Sequence, residues 1–226
     1  MAVYLLDDSL TFPDPMTAED TGLLAVGGDL SVERLLLAYR SGIFPWYSEG
    51  DPIMWFSPDP RLVIFLDNLY VSGTLKKVIK SNIFEVRFDT VFEEVIKRCA
   101  ATDRRGQQGT WITEDMVRAY IRLHDEGYAH SAETFHEGKL VGGLYGVSLG
   151  GVFFGESMFY EMSNASKIAL YYLVGKLIEW KFDFIDSQVP NDHMRSLGGV
   201  EVKRAEFLRM LQDSLRIKTI SGNWDT

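Results

Sequence analysis

Cysteine is nearly missing from this 226-residue chain, with Cys99 the only one. A lone thiol excludes an intrachain disulfide and a thiolate metal cluster, and it fits a reducing, cytoplasmic setting. Histidine is also scarce. The four present, His124, His130, His136 and His193, show neither an HExxH pair nor any other usual ligand spacing. No apolar run approaches the roughly 20 residues of a membrane span. The first eight residues lack the basic start and apolar stretch of a signal peptide. Proline is almost confined to the first 60 residues: Pro13, Pro15, Pro45, Pro52, Pro58 and Pro60 lie there, leaving only Pro190 downstream. Basic charge is in deficit, with 23 Lys and Arg against 32 Asp and Glu for a net charge of −9. Overall charge therefore argues against non-specific coating of nucleic acid or membrane, while leaving room for a local basic patch. Repeats, low-complexity tracts and charge blocks are missing too.

What is present is enough for a sizeable core: 46% of residues are hydrophobic and 13% aromatic. Residues 1–60 read as a small, irregular, turn-rich N-terminal domain with one helix over 32–41. Ser31 is its N-cap, Leu35, Leu36 and Tyr39 form its apolar stripe, and Gly42 follows its end. Residues 61–226 read as the second domain, with a regular pattern. A strand over 61–66, a short basic helix around 75–80 and a strand over 84–88 come first. Thr90-Val91-Phe92-Glu93 has the form of a capping box, opening a helix that turns Phe92, Val95, Ile96 and Cys99 inward. Thr113 caps the next helix and Gly127 stops it. Strands over 129–135, 140–147 and 151–159 follow, joined as hairpins at Glu137-Gly138 and Leu149-Gly150. A helix over 164–180, a strand over 182–189 and a helix over 204–216 complete an α+β pattern.

Two strands carry acids that do not belong in a core. Phe184-Ile185-Asp186-Ser187-Gln188-Val189-Pro190-Asn191-Asp192-His193 runs from a strand into a polar turn, and strand alternation puts Asp186 and Gln188 on one face. Upstream, Glu156 interrupts the apolar run Val152-Phe153-Phe154-Gly155-Glu156-Ser157-Met158-Phe159. A carboxylate and an amide side by side can orient a nucleophile and take its proton. The plainer alternatives are that Asp186 and Gln188 cap the turn, and that Glu156 is a buried acid satisfied by a backbone amide. Trp46 and Trp111 sit beside turns, where an exposed ring can stack on a nucleobase for ~1–3 kcal/mol. Lys76, Lys77, Lys80, Lys97, Arg98, Arg104 and Arg105 group in one part of an acidic chain. They are either a solvated face or a phosphate-binding patch. The glycines of Gly22-Leu23-Leu24-Ala25-Val26-Gly27-Gly28-Asp29 have no Lys-Ser/Thr after them, so they form no P-loop. Val141-Gly142-Gly143 lies within a hairpin strand and permits close backbone approach.

Five motifs in order carry a resemblance that spans nearly the whole chain. They are the segment from Gly22 to Ser31; Gly42-Ile43-Phe44-Pro45-Trp46-Tyr47 running on to Trp55-Phe56-Ser57-Pro58-Asp59-Pro60-Arg61; Gly109-Thr110-Trp111-Ile112-Thr113; Gly155-Glu156-Ser157-Met158-Phe159 with Asn164-Ala165-Ser166-Lys167; and Asp186-Ser187-Gln188 with Asn191-Asp192-His193. The chain resembles the leucyl/phenylalanyl-tRNA–protein transferases. The resemblance implies a small N-terminal domain followed by a C-terminal domain similar to the GCN5-related acetyltransferase fold. It implies transfer of Leu or Phe, sometimes Met, from aminoacyl-tRNA to the α-amino group of proteins that begin with Lys or Arg. Such a product is a destabilising N-terminus in the N-end-rule degradation pathway. An aminoacyl ester is already activated, so no cofactor, ATP or metal is expected.

By the same resemblance, Asp186 and Gln188 act together on the attacking amine, and Glu156 lies at the acceptor site. Phe153, Met158, Leu170 and Ile185 match the apolar aminoacyl pocket. Trp46 and Trp111 match aromatics around the terminal adenosine, and Tyr39, Tyr120 and Asn191 match further site positions. Ser187 stands where the family often has Cys. A monomer without membrane attachment is expected. An acyl-CoA-dependent N-acetyltransferase of the same fold is disfavoured, because the stretch 160–167 holds no glycine to cradle a pyrophosphate. A non-catalytic tRNA- or peptide-binding protein is disfavoured by the joint presence of Glu156, Asp186 and Gln188.

Overall fold

A computed structural model describes residues 3–102 and 111–225. Arg104 and Arg105 of the basic group, and Gly109 and Thr110 of the third motif, lie outside the described residues.

The turn-rich N-terminal part is more regular than its prolines suggest. Strands β1 (Tyr4–Leu6), β2 (Leu23–Gly27), β3 (Phe44–Pro45) and β4 (Met54–Phe56) form a sheet in the order β1-β2-β4-β3. Each strand is only two to five residues long and pairs with a distant partner, which local periodicity does not register. Helix α1 (Val32–Arg40) has the predicted cap, with the Arg34 amide donating to Ser31 Oγ at 3.3 Å. Gly42 follows it at φ 74°.

The second part is a seven-stranded mixed sheet. Its strands are β5 (Arg61–Phe65), β6 (Glu85–Phe88), β7 (Ala129–His136), β8 (Lys139–Leu149), β9 (Val152–Tyr160), β10 (Phe184–Asp186) and β11 (Val200–Val202). They lie in the order β11-β5-β10-β9-β8-β7-β6. The meander β6–β9 is antiparallel throughout. β10 then pairs parallel to β9 after a crossover through α5 (Ala165–Glu179), and antiparallel to β5 on its other side. Glu137 and Gly138 both take positive φ in the first hairpin, the geometry its tight turn requires. Helix α5 lies against bare backbone: a Cβ on Gly142 would come within 2.5 Å of the Ala165 methyl, so the predicted close approach at this glycine is present.

The remaining helices are α2 (Gly73–Ser81), α3 (Phe92–Ala101), α4 (Glu114–Asp125), α6 (Asp192–Ser196) and α7 (Arg204–Ser214). Thr113 caps α4 as expected. The capping box at Thr90 does not form. The N-cap of α3 is Val91 with no side-chain cap bond, and Thr90 Oγ1 donates instead to Glu133 Oε2 at 3.0 Å. The short α6 and the edge strand β11 have no periodic signal in the sequence. The strand expected over 182–189 spans only Phe184–Asp186. Cys99 is fully buried on the inner face of α3. The result is the predicted α+β architecture, with an antiparallel meander, a crossover helix and a parallel strand pair. One buried cluster runs through both sheets, from Leu24, Tyr39 and Trp55 to Val95, Tyr145 and Phe207. Among the described residues no helix is long and apolar enough to cross a membrane.

Candidate active site

Where β9 and β10 run side by side, the sheet opens into a cavity of about 710 Å³. Its apolar wall includes Phe153 and Met158 from β9, Leu170 from α5 and Ile185 from β10, the four residues expected to form a pocket. Glu156, Gln188, Asn191 and Trp111 also line it. Asn191 has a second task, accepting the Met194 amide at 2.9 Å and so capping α6 at the rim.

Glu156 is the centre of the polar wall. It is half-buried, and three side chains converge on it: Tyr39 Oη donates to Oε1 at 2.7 Å, Gln188 Nε2 to the same oxygen at 3.1 Å, and Tyr120 Oη to Oε2 at 3.3 Å. The two tyrosine hydroxyls also bond each other. Glu156 is therefore satisfied by side chains rather than by the backbone amide of the plainer reading. Burial pushes its carboxyl up to about 7; the Asp186 charge adds to this, while the tyrosine bonds and the Arg61 guanidinium pull it back. Burial and the Glu156 charge hold both phenols well above their ordinary value, so they remain protonated donors.

Asp186 differs from its sequence-based reading. Strand alternation stops at Asp186, and Gln188 adopts φ 54°, which swings its side chain to Glu156 and the cavity. Asp186 is fully buried on the other side of β10. Arg61 grips it at both oxygens, Nε to Oδ1 at 2.9 Å and Nη2 to Oδ2 at 2.6 Å. Oδ1 also accepts the Gln188 amide at 3.0 Å, tying the acid to the amide residue through backbone. Arg61 is itself buried, donates to the Gly42 carbonyl at 3.1 Å, and lies over the rings of Phe44 and Phe207 at 4.8 and 4.4 Å. The sequence alone gives Arg61 no role. Its one local signal is a cation opening the apolar strand Leu62-Val63-Ile64-Phe65.

The other expected residues divide. Trp111 is at the cavity, whereas Trp46 is half-buried edge-on against Phe56, 5.4 Å between centroids, and does not line it. Tyr39 and Tyr120 reach the site through Glu156 without lining the cavity. Ser187, where the resemblance leads one to expect Cys, lines the cavity, whereas Asp186 does not. Of the basic group, Lys76, Lys77 and Lys80 are exposed on α2. Lys97 and Arg98 are paired with Glu93 and with Glu94 and Glu161. His124 packs flat on Phe92 at 4.2 Å, as a structural residue.

A family model described as leucyl/phenylalanyl-tRNA protein transferase matches residues 63–212, and one described as the N-terminal domain of the same transferase matches residues 28–59. A leucyl/phenylalanyl-tRNA–protein transferase of Desulforapulum autotrophicum is 53% identical over 224 residues, covering 99% of this chain and 98% of that one. A protein of the same name from Nitratidesulfovibrio vulgaris (strain DP4) is 53% identical over 225 residues, covering 99% of this chain and 96% of its own. Among solved structures, that of L-PGS from Bacillus licheniformis aligns at 14% identity with a TM-score of 0.42, over 75% of this chain and 54% of that one.

Proposed function

The chain belongs to the leucyl/phenylalanyl-tRNA–protein transferase family, and from that premise we propose that it moves Leu or Phe, and sometimes Met, from aminoacyl-tRNA to the α-amino group of proteins beginning with Lys or Arg. The observation that carries this reading is the meeting, in one cavity, of an apolar wall and the Glu156 carboxyl held by Tyr39, Tyr120 and Gln188.

The donor side chain enters the wall of Phe153, Met158, Leu170 and Ile185, with the ester carbonyl near Glu156 and Gln188. Such a wall discriminates by ~1–3 kcal/mol per methylene, in keeping with several accepted donors. Trp111 stacks on the terminal adenosine. The acceptor nitrogen attacks the ester carbon. A C–N bond forms, the C–O bond to the ribose oxygen breaks, and the proton lost by the amine ends on that oxygen. Glu156 binds the acceptor as the ammonium and takes its first proton, which frees the attacking lone pair and passes on to solvent, so that the proton reaching the ribose oxygen is the second one. Gln188 gives its amide N–H to Glu156, leaving its carbonyl oxygen to accept from the amine. Asp186 acts through others, as a positioning residue that fixes Gln188 and is itself fixed by Arg61. Tyr39 and Tyr120 hold Glu156. Positioning of this kind suffices for an activated ester, with neither ATP nor metal consumed.

We place the enzyme in the cytoplasm, where its donor is made, and take residues 1–60 and 61–226 as its two domains. We also propose that it acts as a monomer. The test is transfer of radiolabelled Phe and Leu from charged tRNA to peptides beginning with Arg, Lys or Ala. Label on the Arg and Lys peptides alone is the expected result. Label on none, with acetyl transfer from acetyl-CoA in a parallel reaction, replaces this reading.

A further inference from the structure

Beyond α7 the chain crosses back over the molecule and buries an indole behind the apolar wall. Gly150 donates its amide to Thr219 Oγ1 at 2.9 Å, and Gly222 donates to the Gly127 carbonyl at 3.1 Å. Trp224 is then fixed at both ends of its backbone: its amide donates to Asp89 Oδ2 at 2.8 Å, and its carbonyl accepts from Lys176 Nζ at 2.9 Å. The side chain is 1% exposed. It stacks on His130 at 3.7 Å with 6° between planes, and meets Trp180 edge-on at 4.9 Å.

One further contact gives this anchor a consequence for the cavity. The Trp224 ring lies 6.0 Å from that of Phe153, tilted by 40°. Phe153 lines the cavity and is nevertheless only 1% exposed. Gly146 on the neighbouring strand leaves the space that the ring needs, because a Cβ there would sit 2.6 Å from Phe153 Cε1 and 2.7 Å from Cζ. Phe153 is thus held between bare backbone and an indole, in the same buried cluster as Leu170 and Ile185. In a close-packed interior a ring so confined has little freedom to shift.

We infer that Trp224 is a positioning residue that fixes Phe153, sets the depth of the aminoacyl pocket and thereby helps to choose between Leu and Phe donors. It touches no substrate itself. The inference rests on reading this cavity as the donor pocket. Removing the indole lets Phe153 retreat, which lengthens the pocket and favours the longer donor.

The test is calorimetric binding of two non-hydrolysable donor analogues, adenosine carrying 3′-amide-linked Phe or Leu, to the wild type, Trp224→Phe and Trp224→Ala. Thermal melting of each variant is followed alongside. The Kd ratio of Leu to Phe analogue is expected to move toward Phe by about tenfold in Trp224→Ala, the scale of one methylene in an apolar pocket. Trp224→Phe, which keeps a ring at the site, should give about threefold on the same scale and decides the matter if the Ala variant does not fold. Equal weakening of both analogues, or a ratio that moves toward Leu, makes Trp224 a structural anchor only and overturns the inference. A wild type that binds both analogues while the variants keep its ratio sinks the inference and leaves the donor reading standing. A wild type that binds neither removes both.

Discussion

Replacing Asp186 by Ala should unfold the protein more readily as well as disable it, and the size of the first effect follows from Arg61. Both side chains of this pair are fully buried. The substitution deletes the acceptor of two guanidinium bonds, at 2.9 and 2.6 Å, and leaves Arg61 with the Gly42 carbonyl and the faces of Phe44 and Phe207. An uncompensated buried charge costs about 3–5 kcal/mol. For a domain of this length each kcal/mol lowers Tm by about 2–4 °C, so a fall of roughly 6–20 °C is expected. Differential scanning calorimetry reads it, and tRNA-dependent transfer is measured well below the new Tm. The control is Arg61→Met with Asp186→Leu, which replaces the ion pair by apolar side chains. It should regain most of the stability, since buried pairs are often replaceable in this way, and none of the transfer. An Asp186→Ala protein that melts within about 2 °C of wild type would refute the reasoning, because less than about 1 kcal/mol would then depend on the pair.

Other expectations follow from the same site. Glu156 has its carboxyl raised to about 7 by burial, so it is mostly protonated at pH 6 and ionised at pH 8. Acceptor kcat/KM should therefore rise through pH about 7 in wild type. In Glu156→Gln that step disappears, leaving only the ionisation of the acceptor amine near pH ~8; an unchanged profile removes Glu156 from the reaction. The raised value also has a sign for stability. The folded state holds this proton more tightly, so its contribution is complete below about 4.5 and lost as pH rises through about 7. Urea midpoints at pH 5 and 8 should differ less in Glu156→Gln than in wild type. Trp111→Ala should raise donor KM about tenfold with acceptor KM unchanged, the loss of one stacking contact. Lys76, Lys77 and Lys80 replaced together by Ala should flatten the salt dependence of donor KM, whereas an unaltered slope makes them an ordinary solvated face.

The sequence was most informative where its signal is local. The hairpin strands β7–β9 and helices α1, α4 and α5 follow from turn residues, helical spacing and caps within a residue or two of their observed ends. The two acids that interrupt apolar runs, Glu156 and Asp186, do mark the site's polar wall and the buried pair behind it. Failures occur where a distant group outcompetes a local one. Thr90 has the right neighbours for a capping box, but its hydroxyl goes to Glu133, a buried acid 43 residues away. Gln188 stands two residues after Asp186, and alternation would keep them on one face. Its positive φ turns it toward Glu156, on a strand that only the sheet brings alongside. Arg61 is unremarkable in sequence, because the carboxylate that explains it lies 125 residues downstream. The short strands β1–β4 fail for the same reason, since each is defined by its partner rather than by its own pattern.

The division of labour between the two acids is then a question of surroundings rather than residue type. Asp186 sits in a sealed site with a guanidinium across both oxygens, so its charge is already spent on Arg61 and on the Gln188 amide. Glu156 faces the cavity, with three neutral donors and, among the described residues, no cation bonded to it, and the nearby Asp186 charge helps to raise its carboxyl toward neutrality. Two carboxyls whose environments differ in this way serve different ends, one as fixed scaffold and one as exchangeable proton site. An incoming ammonium would bring a cation against Glu156, pulling its carboxyl back down and drawing the acceptor into place. That argument predicts a measurable coupling. The carboxyl signal of Glu156, followed by infrared difference spectroscopy, should shift to the carboxylate form at pH 6.5 when a Lys-initiated peptide binds. An acetylated peptide of the same sequence, which has no α-ammonium, should leave it largely protonated; an equal shift with both would mean that the α-amine does not reach Glu156.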